Sequence, residues 1–176
     1  MINKQLIQLL IITLLTIFVD LLSKLWAEAT LTLYDPVQII GEFFRLTLSY
    51  NTGIAFSFFS NAGLLPLIVT GFVIIGLIVW FTSAITREEL PPIAVIPVGM
   101  LLGGALGNFI DRLVDQRVTD FLDVGIGTTR WPTFNLADSF ILIGLTLLVM
   151  LTYHPQIQAD EAMLRDETFS MERGDV

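Results

Sequence analysis

The chain has 176 residues, of which 54% are apolar and 15% charged, against about 45–50% and about 25% in soluble domains. With a mean hydropathy of +0.76, that excess is too large for one water-exposed fold and argues against an ordinary soluble enzyme. There is no Cys and one His, His154, and the formal net charge is −8, which excludes a disulfide framework, a cysteine nucleophile and a multi-histidine metal site and disfavours a Ser-His-Asp triad and nucleic-acid binding.

A helix needs about 20 apolar residues to cross a bilayer core, and four runs qualify, at residues 6–27, 63–86, 90–112 and 135–153. The expected fold is therefore an all-α membrane protein of four transmembrane helices. The first run is too long for a cleaved signal peptide and continues into Leu25-Trp26-Ala27-Glu28-Ala29, so it stays as a span. Near its far end Asp20 and Lys24 lie four apart on one helical face, the spacing of a structural ion pair.

Between the first two spans, Arg45-Leu46-Thr47-Leu48-Ser49-Tyr50 alternates polar with apolar, the strand period, and predicts a small β-sheet between helices 1 and 2, resting on the membrane. The second and third spans are joined by a short Arg87-Glu88-Glu89 hairpin, and Pro91-Pro92 starts the next helix. The third span places Gly99, Gly103 and Gly107 every four residues, a groove into which another helix can pack closely. Asn108, Asp111 and Arg112 follow at helical spacing, which gathers an amide, a carboxylate and a guanidinium at one end. They read either as a hydrogen-bond knot or as a substrate-orienting cluster.

Residues 118–124, Val-Thr-Asp-Phe-Leu-Asp-Val, read as an extended stretch leading to a turn at Gly125 and Gly127. In the fourth span Asn135 and Asp138 share a face, and Asp138 lies about one turn in with no basic residue three or four positions away. An ionisable group in a span is costly, about 2.5–3.5 kcal/mol at a helix centre, so Asp138 points to function. Asp120, 18 positions earlier, is a candidate partner ranked modestly above Asp115 and Asp123. Two carboxyls that meet share one proton, and such a pair can activate water against a carbonyl without metal or nucleophile.

Trp26 and Trp131 fall at the end that faces the two long connecting segments, and Trp80 near the hairpin, as interfacial aromatics do. Residues 155–176 carry six acidic residues and two Arg and read as a solvated, disordered tail behind a membrane unit of residues 1–154. Lys4, Arg87, Arg165 and Arg173 on the terminal side nearly balance Lys24, Arg45, Arg112, Arg117 and Arg130 on the other, leaning slightly towards termini outside. Three other readings stand beside a protease dyad: a small proton-coupled transporter with Asp20 and Asp138 as relays, a non-enzymatic assembly factor, and a Ser23–Lys24 dyad. The last is poorly placed, because adjacent helical residues point about 100° apart.

Five ordered blocks carry a family resemblance: Asp20 with Ser23-Lys24; Asn51-Thr52-Gly53-Ile54-Ala55-Phe56-Ser57; Gly103-Gly104-Ala105-Leu106-Gly107-Asn108 with Asp111-Arg112; Val118-Thr119-Asp120-Phe121; and Phe134-Asn135-Leu136-Ala137-Asp138. With these separations the chain resembles bacterial lipoprotein signal peptidase, or signal peptidase II, a four-span membrane aspartic protease. The resemblance implies a catalytic dyad of Asp120 and Asp138, with Asp20, Lys24, Asn51, Gly53, Asn108, Arg112 and Asn135 orienting it or holding substrate. It implies no cofactor or metal, cytoplasmic termini, and a site near the outer face of the bacterial inner membrane. The implied partners are diacylglyceryl-prolipoproteins, cut just before the lipidated cysteine, and membrane lipid, with no nucleic acid and a monomeric enzyme. Leu21, where Gln commonly follows the first Asp, and Ile54, where a smaller residue is usual, depart from the pattern.

Overall fold

A computed structural model describes residues 4–53, 64–87 and 91–151. Among them run, in chain order, α1 (Lys4–Thr30), β1 (Val37–Ile40), β2 (Phe44–Asn51), α2 (Leu65–Thr86), α3 (Val95–Asp115), β3 (Val118–Ile126), β4 (Thr129–Arg130) and α4 (Leu136–Leu151). A single 3-10 turn at Pro92–Ala94 feeds α3, with Pro at its start. Glu88 and Glu89 of the expected hairpin, residues 54–57 with the Ile54 departure, His154 and the acidic tail lie outside the described residues.

The helices follow the expected runs. α1 and α3 extend past them at their C-terminal ends, α3 reaching Asp115 rather than residue 112. Its end is set by Gln116, which takes a left-handed conformation (φ 56°) and donates its N–H to the Arg112 carbonyl, satisfying an orphan acceptor of the last turn. α1, α2 and α3 are long and apolar enough to cross a membrane, and the described α4 is shorter.

α1 is inside out. Its buried residues are Thr13, Thr16, Asp20, Lys24 and Ala27, whereas Leu10, Leu14 and Phe18 are more than half exposed. A helix that turns Leu outward and hides Asp and Lys is built for lipid on one side and a polar interior on the other. α3 is the central helix, with 67% of its most apolar window buried against 17% for α1 and α2.

The glycines explain how α3 can be central. A Cβ on Gly99 would lie 2.7 Å from Ile12, on Gly103 2.5 Å from Thr16, and on Gly107 2.6 Å from the Asp20 carboxylate, all on α1. On the other side, a Cβ on Gly104 would lie 2.5 Å from the Ala137 carbonyl of α4, and one on Gly144 of α4 2.7 Å from the Pro97 carbonyl. The expected groove is therefore real and receives α1, while Gly104 and Gly144 form a second close approach. Phe81, Val95, Val98, Leu101, Leu102 and Leu148 fill the space between α2, α3 and α4.

The strands form one antiparallel four-stranded sheet in the order β1-β2-β3-β4. This corrects the expectation of a sheet confined to the segment between the first two helices: β1 and β2 come from there, and β3 and β4 from the segment between α3 and α4. The reason is pairing. β2 would otherwise leave a row of unpaired N–H and C=O groups, and β3 covers that edge, with Phe44 opposite Val124 and Asn51 opposite Val118. Phe134 then joins β3: its carbonyl accepts from the N–H groups of Phe121 and Leu122, and its N–H donates to Leu122. Ala27, Leu48 and Phe121 seal the sheet against the end of α1.

Gly103 and Gly76 make a matched test, because a Cβ on Gly76 in α2 meets nothing within 4 Å. Gly103→Val is expected to lower the thermal midpoint of the detergent-solubilised protein, at about 1–3 kcal/mol or more of overpacking. Gly76→Ala is expected to leave it unchanged or raise it.

Candidate active site

Lys24 is the hub of the polar interior. Its ammonium reaches the Asp20 carboxylate at 2.7 Å, Asp111 at 2.8 Å and the Asn108 side-chain oxygen at 3.0 Å. The predicted Asp20–Lys24 pair is thus present within a larger cluster, and Asn108 and Asp111 meet on one cation. Asp20 has a second task, since its other oxygen accepts the Ala137 N–H at 2.8 Å, one of the free donors at the start of α4. The Ser23 hydroxyl donates instead to the Asp20 carbonyl. With Ser23 turned to the backbone and Lys24 held between two carboxylates, the pair is not arranged as nucleophile and base.

Asn135 caps α4. Its side-chain oxygen accepts the Asp138 N–H at 3.0 Å, and the Asp138 carboxylate accepts the Asn135 N–H at 3.3 Å. This is a reciprocal capping box with Asp in the third helical position. Part of what makes Asp138 anomalous in the sequence is thereby accounted for: it stands in the first turn and serves the helix end. Its other oxygen accepts the Asn108 amide at 2.7 Å.

Asp120 comes from β3 and is 2% exposed. The Asn135 amide donates to it at 2.7 Å and also to the Asn108 oxygen at 3.1 Å. Asp120, Asn135, Asn108 and Asp138 are therefore linked in a continuous chain of amide hydrogen bonds. Burial pushes the Asp120 carboxyl up to about 7, the Asp138 charge pushes the same way, and hydrogen bonds from Asn135 and Asn51 pull back. A carboxyl poised near neutrality beside a second carboxyl can hold or release a proton at working pH.

The competing carboxylates separate cleanly. Along β3, Asp120 and Asp123 are three apart and face opposite sides of the strand. Asp123 is gripped by Arg45 at 2.8 Å, Thr47 at 2.8 Å and Arg130. Burial works to raise its pKa, but the bonds from Arg130, Thr47 and Arg45 outweigh it and hold the carboxyl below its ordinary value. Asp115 is exposed at the end of α3.

Arg112 donates to the Gly53 carbonyl at 2.7 Å and to the Asn108 carbonyl at 3.2 Å, and Gly53 donates its N–H to the Asn51 side chain at 2.9 Å. Arg112 thus ties the chain after β2 to α3, with Asn51 beside Asp120. All nine residues that the family resemblance marks fall in this one network. Sequence reading missed the Ser49–Thr133 hydroxyl pair at 2.6 Å, whose members are 84 positions apart in the chain, and the helix cap, which the Asn-x-x-Asp spacing at residues 135–138 could have signalled.

The profile of the signal peptidase (SPase) II family matches residues 12–154, a stretch that contains every residue of the network. The chain belongs to the signal peptidase II family. Among its relatives are lipoprotein signal peptidases from Coxiella burnetii, 42% identical over 140 residues, and Hydrogenovibrio crunogenus, 39% identical over 147. These alignments cover 77% and 79% of this chain and 83% and 81% of the relatives. Two structures described as bacterial membrane enzymes solved by the in meso method, at 2.3 Å and 1.9 Å resolution, superpose with TM-scores of 0.69 and 0.67. They share 28% and 29% identity, with 90% and 81% of this chain and 88% and 90% of theirs covered. The chain is accordingly a peptidase and a multi-pass membrane protein, and the family match gives no support to the transporter reading.

Two titrations follow. A carboxyl raised to about 7 in the folded protein and near 3.9 when unfolded destabilises folding progressively as pH rises between those values. Asp120→Asn, which is always neutral, is therefore expected to raise the thermal midpoint at pH 8, by up to a few kcal/mol in stability, and to lose that advantage below about pH 4. Asp123 behaves oppositely: its contribution is full above about pH 4 and disappears as pH falls further. Asp123→Asn should lower stability at pH 7 and remove that acid-sensitive part, as measured by thermal melts across pH.

Proposed function

We propose that this chain is the endopeptidase that removes signal peptides from prolipoproteins, cutting just before a diacylglyceryl-modified cysteine, with Asp120 and Asp138 as its catalytic pair. The observation that carries the reading is the amide chain joining those two carboxyls, with Asp120 poised near neutrality. The pair holds one proton. The ionised member takes a proton from a water that attacks the scissile carbonyl, while the protonated member donates to the carbonyl oxygen. Both then exchange roles as the amine leaves. Asn135 and Asn108 orient the two carboxyls, and Lys24 with Asp20 fixes Asn108 and the start of α4. Asn51, Gly53 and Arg112, joined by hydrogen bonds, hold the substrate backbone.

In this reading α4 completes a fourth crossing, and residues 1–154 form the membrane unit. The exposed Leu142, Val149 and Met150 of α4 support contact with lipid. The termini face the cytoplasm, and the site and sheet lie at the outer face of the inner membrane. Trp26 and Trp131, both exposed at the sheet end, suit that interface. The relatives named lipoprotein signal peptidase support the substrate class, and the enzyme works as a monomer.

The test is a gel-shift assay on a diacylglyceryl-modified precursor in detergent. Asp120→Asn and Asp138→Asn should each lower the rate by about 10²–10⁴-fold or more while the variants still purify folded, and EDTA should leave wild-type activity intact. Full cleavage by either variant removes that residue from the pair, and loss with EDTA would require a metal.

A further inference from the structure

Asp120 sits on a strand, and a strand that bears a catalytic carboxyl must be held against sliding or twisting. One residue earlier, Thr119 is 7% exposed and faces the opposite side of β3 from Asp120. Its hydroxyl donates to the Glu28 carboxylate of α1 at 2.8 Å, and its N–H points at the Asp111 carboxylate of α3 at a marginal 3.5 Å. Asp111 is itself paired with Lys24. Thr119 is therefore the point where β3 is tied to α1 and α3 by hydrogen bonds of one side chain and its N–H, beside the apolar contact of Phe121 with α1, and the bond to Glu28 is the stronger of the two, being short and charge-assisted. Glu28 is exposed, one turn beyond Lys24 on the same helix. Among the described residues, the Glu28 and Thr119 side chains bond to each other and not to the amide chain that joins Asp120 to Asp138.

We propose that Glu28 and Thr119 are positioning residues for hydrolysis: their hydrogen bond locks the α1 end to β3 and so fixes the place of the Asp120 carboxyl relative to Asp138. The proposal rests on Asp120 acting in the catalytic pair. Its magnitude comes from geometry, because displacing a reacting group by about 1 Å can cost on the order of 10²-fold in rate, and loss of one fastening point allows part of that.

The experiment measures kcat and KM of full-length enzyme on a diacylglyceryl-modified precursor in detergent, with rates normalised to the monodisperse folded fraction. Thr119→Val, nearly the same shape without the hydroxyl, should lower kcat about tenfold with KM within twofold. Thr119→Ser, which keeps the donor, should restore most of it. Glu28→Ala should match Thr119→Val, Glu28→Gln should lose less, and the double variant Glu28→Ala/Thr119→Val should be no worse than either single, because both remove one bond. Wild-type kcat in Thr119→Val or Glu28→Ala, an effect carried by KM, or additive losses in the double variant overturns the proposal. If Thr119→Val does not fold, exposed Glu28→Ala and Glu28→Gln decide alone, a kcat loss graded Ala over Gln supporting the proposal and wild-type kcat overturning it. Asp120→Asn is run alongside: if it cleaves normally, the underlying dyad reading fails, and that failure is told apart from a failure of the Glu28–Thr119 bond to matter.

Discussion

The ammonium of Lys24 holds the polar end of the bundle together. It donates charge-assisted bonds to Asp20 on its own helix and to Asp111 on α3, and also to the Asn108 side-chain oxygen. Asp20 passes the restraint on to α4 through the Ala137 N–H. Three helices are thereby joined at one buried cation. In such a place each partner depends on the others, because removing one member of a buried ion pair leaves a charge uncompensated, typically at about 3–5 kcal/mol. The ion cluster does not by itself favour burial. It is held there by the apolar exterior of the helices that surround it, which has nowhere better to go than lipid.

Close packing makes the cluster reachable. Short polar side chains such as Asp20 and Asn108 can meet across a helix interface only if the backbones approach closely, and Gly103 and Gly107 permit this between α1 and α3. Gly107 is the direct link between packing and chemistry, since the space a Cβ would take is filled by the Asp20 carboxylate. The glycine ladder that reads as a packing device is also what lets the carboxylate stand where it orders the start of α4.

The sheet supplies the other half of the site. β3 pairs along β2 and is bridged to Phe134, so the strand that bears Asp120 and the turn that leads into Asn135 and Asp138 are held side by side. Strand alternation then divides the work between two similar acids. Asp120 meets Asn135, while Asp123, on the other face, is neutralised by Arg45 and Arg130 and braces the sheet. Above neutral pH stability is given up at the first and gained at the second.

Much of this protein was legible in its residues alone. Long uncharged runs imply helices in lipid because backbone polar groups must be satisfied within the segment there, and residues spaced three or four apart imply shared helix faces, which located Asp20 with Lys24 and Asn108 with Arg112. Alternation at residues 45–50 marked β2, and the ordered blocks marked the family. What the linear order could not decide was which partners meet across long separations. The joining of two loops into one sheet, the choice of Asp120 over Asp123, the bond from Glu28 to Thr119 and the capping role of Asp138 all depend on sheet register and helix approach. Those are settled by the simultaneous pairing of groups far apart in the chain, and only the folded structure carries that information.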